Sequence, residues 1–155
     1  MSDGATNDEI LLAACKQDNP DLLNSVLSDS KTNLNARDGV GNTGLHYAAN
    51  CGSLDCLRML RKANPNIQNL IEGDTPLHKA CSYQEPHQAF KMAELLVEYG
   101  SDPRTKNRMG QRPIDLVSFS LKELRTLLLQ ATLAINMAPP KNDIEESEDE
   151  NYDSD

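Results

Sequence analysis

Residues 72–81 read "EGDTPLHKAC". A glycine and an aspartate precede a threonine–proline pair, and apolar residues at helical spacing follow. Thr75 is suited to cap a helix that begins at Pro76: its hydroxyl can accept from first-turn N–H groups, and proline there has no N–H to leave unpaired. Gly73 permits the positive φ of a tight turn. The motif is written more than once. Residues 40–49 read "VGNTGLHYAA", so Thr43, Leu45, His46 and Ala48 fall on Thr75, Leu77, His78 and Ala80. A degenerate third copy, "GQRPIDLVS" at 110–118, places Arg112, Pro113, Ile114 and Asp115 where Thr, Pro, Leu and His stood. Turn positions precede each core: Asp38 with Gly41, Leu70 with Gly73, and Asn107 with Gly110, at separations of 32 and 37 residues. An N-terminal copy without the turn, "EILLAACKQDNPDLLNSVL" at 9–27, aligns Leu11, Ala14, Asp21 and Leu23 with Leu45, Ala48, Asp55 and Leu57.

Each copy predicts a short first helix, a break, and a second helix. Gly52 ends the helix after Thr43, and Ser53 caps "LDCLRMLRK", whose Leu54, Leu57 and Leu60 form one apolar stripe. In the next copy "AFKMAELLVEY" carries Phe90, Ala93, Leu96 and Val97, with Gly100 as the terminating glycine. The inserted "QEPH" at 84–87 is expected to lengthen the turn between these two helices. "SLKELRTLLLQATLAINM" opens with a Ser120–Glu123 capping box and reads as the longest helix, closing the array.

A period near 33 with a turn, two helices and a TPLHxA core resembles the ankyrin repeat. TGLHYAA, TPLHKAC and "LLVEYGSDP" carry the resemblance, which extends from residue 9 to about residue 135. It implies an all-α solenoid of stacked helix-turn-helix units with projecting hairpin loops. The expected organisation is a flexible 1–6, then repeats at 7–37, 38–69, 70–106 and 107–137, then a disordered acidic tail at 138–155. The resemblance also implies that Thr43, His46, Thr75 and His78 hold turn and helix of adjacent repeats together by hydrogen bonds. Partner binding is implied on a concave face of hairpin tips and first-helix ends. Carried onto this chain, the tips are Gly39, Val40 and Asn42; Ile71, Glu72 and Asp74; and Arg108, Met109 and Gln111. The helix ends are Asn50 with Cys51 and Ser82 with Tyr83. Tyr83 and Met109 are the expected anchors, since aromatic residues and methionine are enriched at interface cores.

Charge is placed unevenly. The stretch 139–155 holds eight acids and Lys141, a net −7, while residues 1–138 carry 16 acids and 14 bases. This balance repels nucleic acid, whose phosphates need clustered Lys and Arg, and favours a basic protein partner. Ser147 precedes Glu148, Asp149 and Glu150, an acidic context suited to phosphorylation. No apolar run approaches a membrane span, and the first ten residues have neither a basic region nor an apolar stretch of the secretory kind. The cytosol, the nucleus or both are expected, with Cys15, Cys51, Cys56 and Cys81 as free thiols.

Neither a metal nor a cofactor is expected. There is no CxxC, Cys51 and Cys56 have the wrong spacing for a zinc knuckle, and His46, His78 and His87 form no HExxH. No phosphate loop, nucleophile elbow or dinucleotide fingerprint occurs. The sequence therefore predicts a non-enzymatic binding module, monomeric by itself, that serves as an adaptor or escort for a basic protein. The alternative is an inhibitory subunit that occludes a kinase or transcription factor, and the more distant rival is a cysteine-dependent enzyme, which would need Cys51 beside His46 in a cleft.

Overall fold

The computed structural model describes residues 4–139. The elements are α1 (Asn7–Lys16), α2 (Pro20–Leu27), α3 (Gly44–Cys51), α4 (Leu54–Met59), α5 (Pro76–Cys81), α6 (Pro86–Glu98), a 3-10 turn at Pro113–Leu116, and α7 (Lys122–Met137). The helices pack as pairs, α1 on α2, α3 on α4 and α5 on α6. First helices stack on first helices (α1, α3, α5), and second on second (α2, α4, α6, α7). The core is the seam between the two rows. Leu11, Leu45 and Leu77 enter it from the first helices, and Leu23, Leu57, Leu96 and Leu128 from the second, all fully buried. A leucine withdrawn this far from water contributes about 1.5–3 kcal/mol before entropy is counted. The repeated leucine therefore welds each repeat to its neighbours. Among the described residues no helix is long and apolar enough to cross a membrane.

The caps follow the sequence closely in the two central repeats. The Thr43 hydroxyl accepts from the His46 N–H and the Thr75 hydroxyl from the His78 N–H. Gly52 ends α3 at φ +74, and Ser53 caps α4. Three expectations fail. The Ser120–Glu123 box does not form: α7 starts at Lys122 with no side-chain cap, and the Ser120 hydroxyl pairs instead with that of Ser118, 2.9 Å away. The first helix of the third copy shrinks to the 3-10 turn, because Arg112 brings no hydroxyl to accept the first-turn N–H and Val117 turns extended (φ −101, ψ 128). The insertion does not simply lengthen a turn. Glu85 caps α6 by accepting from the Gln88 N–H at 2.7 Å, so Pro86 and His87 become the first turn of α6. The buried face of α6 is Ala89, Met92, Ala93 and Leu96, while Phe90 and Val97 of the expected stripe are half-buried.

His46 and His78 bolt each repeat to the next. His46 Nδ1 accepts from the Thr43 N–H at 3.0 Å, and its Nε2 lies 2.8 Å from the Asp74 carbonyl in the following hairpin. His78 repeats the arrangement with the Thr75 N–H at 3.1 Å and the Gln111 carbonyl at 2.8 Å. A carbonyl only accepts, so Nε2 carries the proton and Nδ1 is the bare acceptor. Both rings are buried, and burial holds His46 below the ordinary histidine range.

Candidate protein-binding surface

Three hairpins, here called fingers, project between the helix pairs. Each begins with an Asx residue whose side-chain oxygen takes the N–H groups of its own turn. Asp38 accepts from the Val40 and Asn42 N–H groups, and Asn107 from those of Met109 and Gln111. In the middle finger this role belongs to Asn69, which accepts from the Asp74 N–H at 3.0 Å, not to Leu70 as the register of glycines predicted. Backbone closure agrees: Asp38 pairs with Asn42, Asn107 with Gln111, but Asn69 with Asp74. The middle finger thus contains one extra residue. The consequence is visible at its tip, where Leu70 is 50% and Ile71 65% exposed.

The fingers are joined to one another. The Leu70 N–H donates to the Val40 carbonyl and the Arg108 N–H to the Glu72 carbonyl, each at 2.9 Å. Below these, Asn69 Nδ2 donates to Asn42 Oδ1, and Asn107 Nδ2 to Asp74 Oδ1, again at 2.9 Å. Gly41 and Gly73, at φ +83 and +72, allow this approach. A Cβ on Gly41 would stand 2.7 Å from the Leu70 backbone nitrogen. The fingers therefore form one surface whose tips, Val40, Leu70, Ile71 and Met109, are all apolar and exposed, Met109 at 82%.

Two clefts open beside this row. One, of about 290 Å³, lies between the middle and third fingers and is lined by Ile71, Glu72, Asp74, Ser82, Asn107, Arg108, Met109, Gln111 and Leu116. The other, of about 450 Å³, lies at the ends of α3 and α5 and is lined by Asn50, Lys79, Ser82, Tyr83, Gln84 and Glu85. Ser82 stands on the wall they share. The structure thus gathers most of the sequence-derived candidates into two adjacent hollows and leaves Val40 and Asn42 outside both.

Several candidates are already committed. Asp74, expected at an exposed tip, is only 9% exposed and accepts from Asn107. Asn42 accepts from Asn69, and the Gln111 side chain from Asn107. These three residues precede the capping position of their helices and serve finger-to-finger or within-finger bonds. Glu72 is exposed but paired: the Lys79 ammonium sits 3.0 Å from Glu72 and 3.6 Å from Asp74. That hydrogen bond, with a second from Asn69, holds the Glu72 carboxyl below its ordinary range. The acidic charge of the middle finger is thus halved by a lysine from the first turn of α5. Tyr83 is half-buried, with its ring over Gly52 so closely that a Cβ there would come within 2.4 Å. Its rim, Asn50, Arg108, Met109 and Val40 remain available, and the exposed Ser82 hydroxyl already donates to the His78 carbonyl at 2.9 Å.

The thiols are not arranged for chemistry. Cys15 and Cys56 are buried and hydrogen-bonded to each other, which with burial pushes the Cys15 thiol up. Cys56 is brought down to about 7 by Cys15 and the Ser53 hydroxyl, with no exposed surface of its own. Burial raises Cys81 to about 12 and also raises Cys51. The Cys51 thiol donates to the Lys16 carbonyl at 3.1 Å, and the ring nitrogens of His46 are occupied by Thr43 and Asp74. The tail and Ser147 lie outside the described residues.

Paired helices, forward-reaching histidines and linked fingers define a helical repeat solenoid with an exposed row of finger tips. The chain belongs to the ankyrin-repeat family: the family description "Ankyrin repeats (3 copies)" matches residues 10–107. It is similar to the ankyrin repeat-containing protein YGL242C of Saccharomyces cerevisiae, at 36% identity over 87% of this chain and 83% of that protein. It is also similar to protein phosphatase 1 regulatory subunit 27 of Homo sapiens, at 31% identity over 82% of this chain and 80% of that one. The tyrosine-protein kinase Shark of Drosophila melanogaster is 32% identical over 84% of this chain but only 13% of its own length. Ankyrin repeats bind protein partners, and that is the function class of this chain.

Proposed function

We propose that this chain is a non-enzymatic adaptor or regulatory subunit that captures one protein partner across its finger row. The observation that carries this reading is the set of exposed apolar tips on backbone-linked fingers. Exposed leucine, isoleucine and methionine side by side are unusual on a soluble surface without a partner, and linked fingers lose little entropy when one binds. Ile71 and Met109 are the anchors, Arg108 and the Tyr83 rim the flanking contacts. The regulatory form gains support from the human relative, which is named as a regulatory subunit of protein phosphatase 1.

A second form, an escort for a basic protein, draws on the tail's net −7. The finger surface lends it little help, because Lys79 pairs with both Glu72 and Asp74 and halves their charge. The test is affinity capture from cell extract with the full chain and with a full chain carrying Ile71→Ser and Met109→Ser. A specific partner lost from the double variant, at unchanged thermal stability, supports the finger row. An unchanged partner set overturns it.

A further inference from the structure

The third finger, 103–112, reads "PRTKNRMGQR": four bases and no acid. Two of the bases are satisfied within the fold, Arg104 by Asp102 at 2.9 Å and Arg112 by Asp115 at 3.1 Å. Lys106 and Arg108 are exposed, and among the described residues no carboxylate lies within 4 Å of either. The carboxylates of the neighbouring finger, Glu72 and Asp74, are paired with Lys79 instead. A row of positive charge therefore stands beside the apolar tip Met109 in a chain whose net charge is −9.

We propose that the chain's own acidic segment, residues 143–150, docks in cis on this finger at Lys106, Arg108 and Met109. The chain's course supports it. Arg104 Nη1 donates to Asn136 Oδ1 at 3.0 Å, so α7 ends against the base of the same finger. From Arg104 to Met109 the backbone spans at most about 18 Å, and the stretch 139–150 can reach about twice that. Composition matches too: "DIEESEDE" surrounds one apolar residue, Ile144, with carboxylates. The cleft beside the third finger offers Ile71, Met109 and Leu116 for the former and Arg108 for the latter. The backbone adds a third complement. The carbonyls of Val40 and Glu72, each just before a finger glycine, accept from the next finger. The Met109 carbonyl occupies the same position, and no N–H among the described residues reaches it. A segment returning from α7 would take the place of a next finger. Each exposed ion pair is weak, but tethering makes their formation intramolecular, at an effective concentration in the millimolar range. A partner that uses Arg108 and Met109 would first have to displace the segment.

The test is amide NMR of the ¹⁵N-labelled full chain against a full-chain variant with Asp143→Asn, Glu145→Gln and Glu146→Gln. At about 0.01 M salt, resonances of residues 104–111 are expected to differ between the two, independently of protein concentration. At about 1 M salt, where the Debye length shrinks to about 3 Å, the difference should vanish. A full chain with Lys106→Gln and Arg108→Gln should lose the difference while keeping its urea midpoint. No difference at low salt, a difference that grows with concentration, or one centred on another finger would overturn the proposal. Partner capture is not read here, so this inference and the finger-row function can fail separately.

Discussion

His46 and His78 each satisfy a buried N–H at one ring nitrogen and a carbonyl of the next finger at the other. Removing such a ring strands both groups, at about 1–3 kcal/mol each. His78→Ala should therefore lose about 3 kcal/mol, read from the urea midpoint, although the residue touches no cleft chemistry. Protonation attacks the same bond. A charged His46 has no lone pair at Nδ1 for the Thr43 N–H, and burial already lowers its affinity for a proton. The unfolded chain then binds more protons than the folded one, so stability rises with pH across the window. The His46 contribution is complete above about pH 6.5 and is lost as pH falls below it. The midpoint should decline between pH 7 and about 5, before carboxylates begin to titrate; a flat profile there would contradict it. Sequence made this histidine legible because it recurs in register. It could not show that Asn42 and Asp74 are spoken for, because their partners, Asn69 and Asn107, lie 27 and 33 residues away.

Helix α7 separates into two faces. Leu124 and Leu128 are buried against the stack, whereas Leu129, Leu133 and Met137 are exposed. Leu128→Ala should cost about 2–5 kcal/mol through the cavity it leaves, and Leu133→Ala less than about 0.5 kcal/mol. Chemical denaturation of the two variants side by side measures the contrast. The elements also show where local reading stops. The Thr-Gly, Gly-Ser and Thr-Pro boundaries gave the caps of α3, α4 and α5 correctly, since cap and first turn are adjacent in sequence. Ser120 followed by Glu123 has the same pattern, yet Ser118 is near enough to take the Ser120 hydroxyl, and the helix starts later. The extra residue of the middle finger escaped notice for a similar reason. Gly73 kept its spacing to Thr75, so only the pairing of Asn69 with Asp74 reveals it.

Over the whole molecule, repeat order was legible because each copy buries its leucine at the same place, and the charge of the finger row was not, because Lys79 reaches back from α5 to pair with Glu72 and Asp74. The forward reach of the histidines has a further consequence. Every bolt runs from a repeat to the finger that follows it, and the third copy, with Ile114 and Asp115 in place of Leu and His, extends none. The two ends of the molecule are therefore not equivalent. The first copy has Leu12 at the histidine position and can peel away without breaking a bolt; the next repeat to leave from that side takes the His46 donor and strands only the Asp74 carbonyl. Peeling from the C-terminal side withdraws the Gln111 carbonyl first and leaves His78 behind with a buried, unanswered N–H. Hydrogen exchange should register this direction: α5 amides lose protection together with the third finger, while α1 can open without exposing α3 caps. Loosening of α5 that tracked α1 instead would contradict it. A solenoid that looks periodic thus carries an arrow, and its first copy is the end it can best do without.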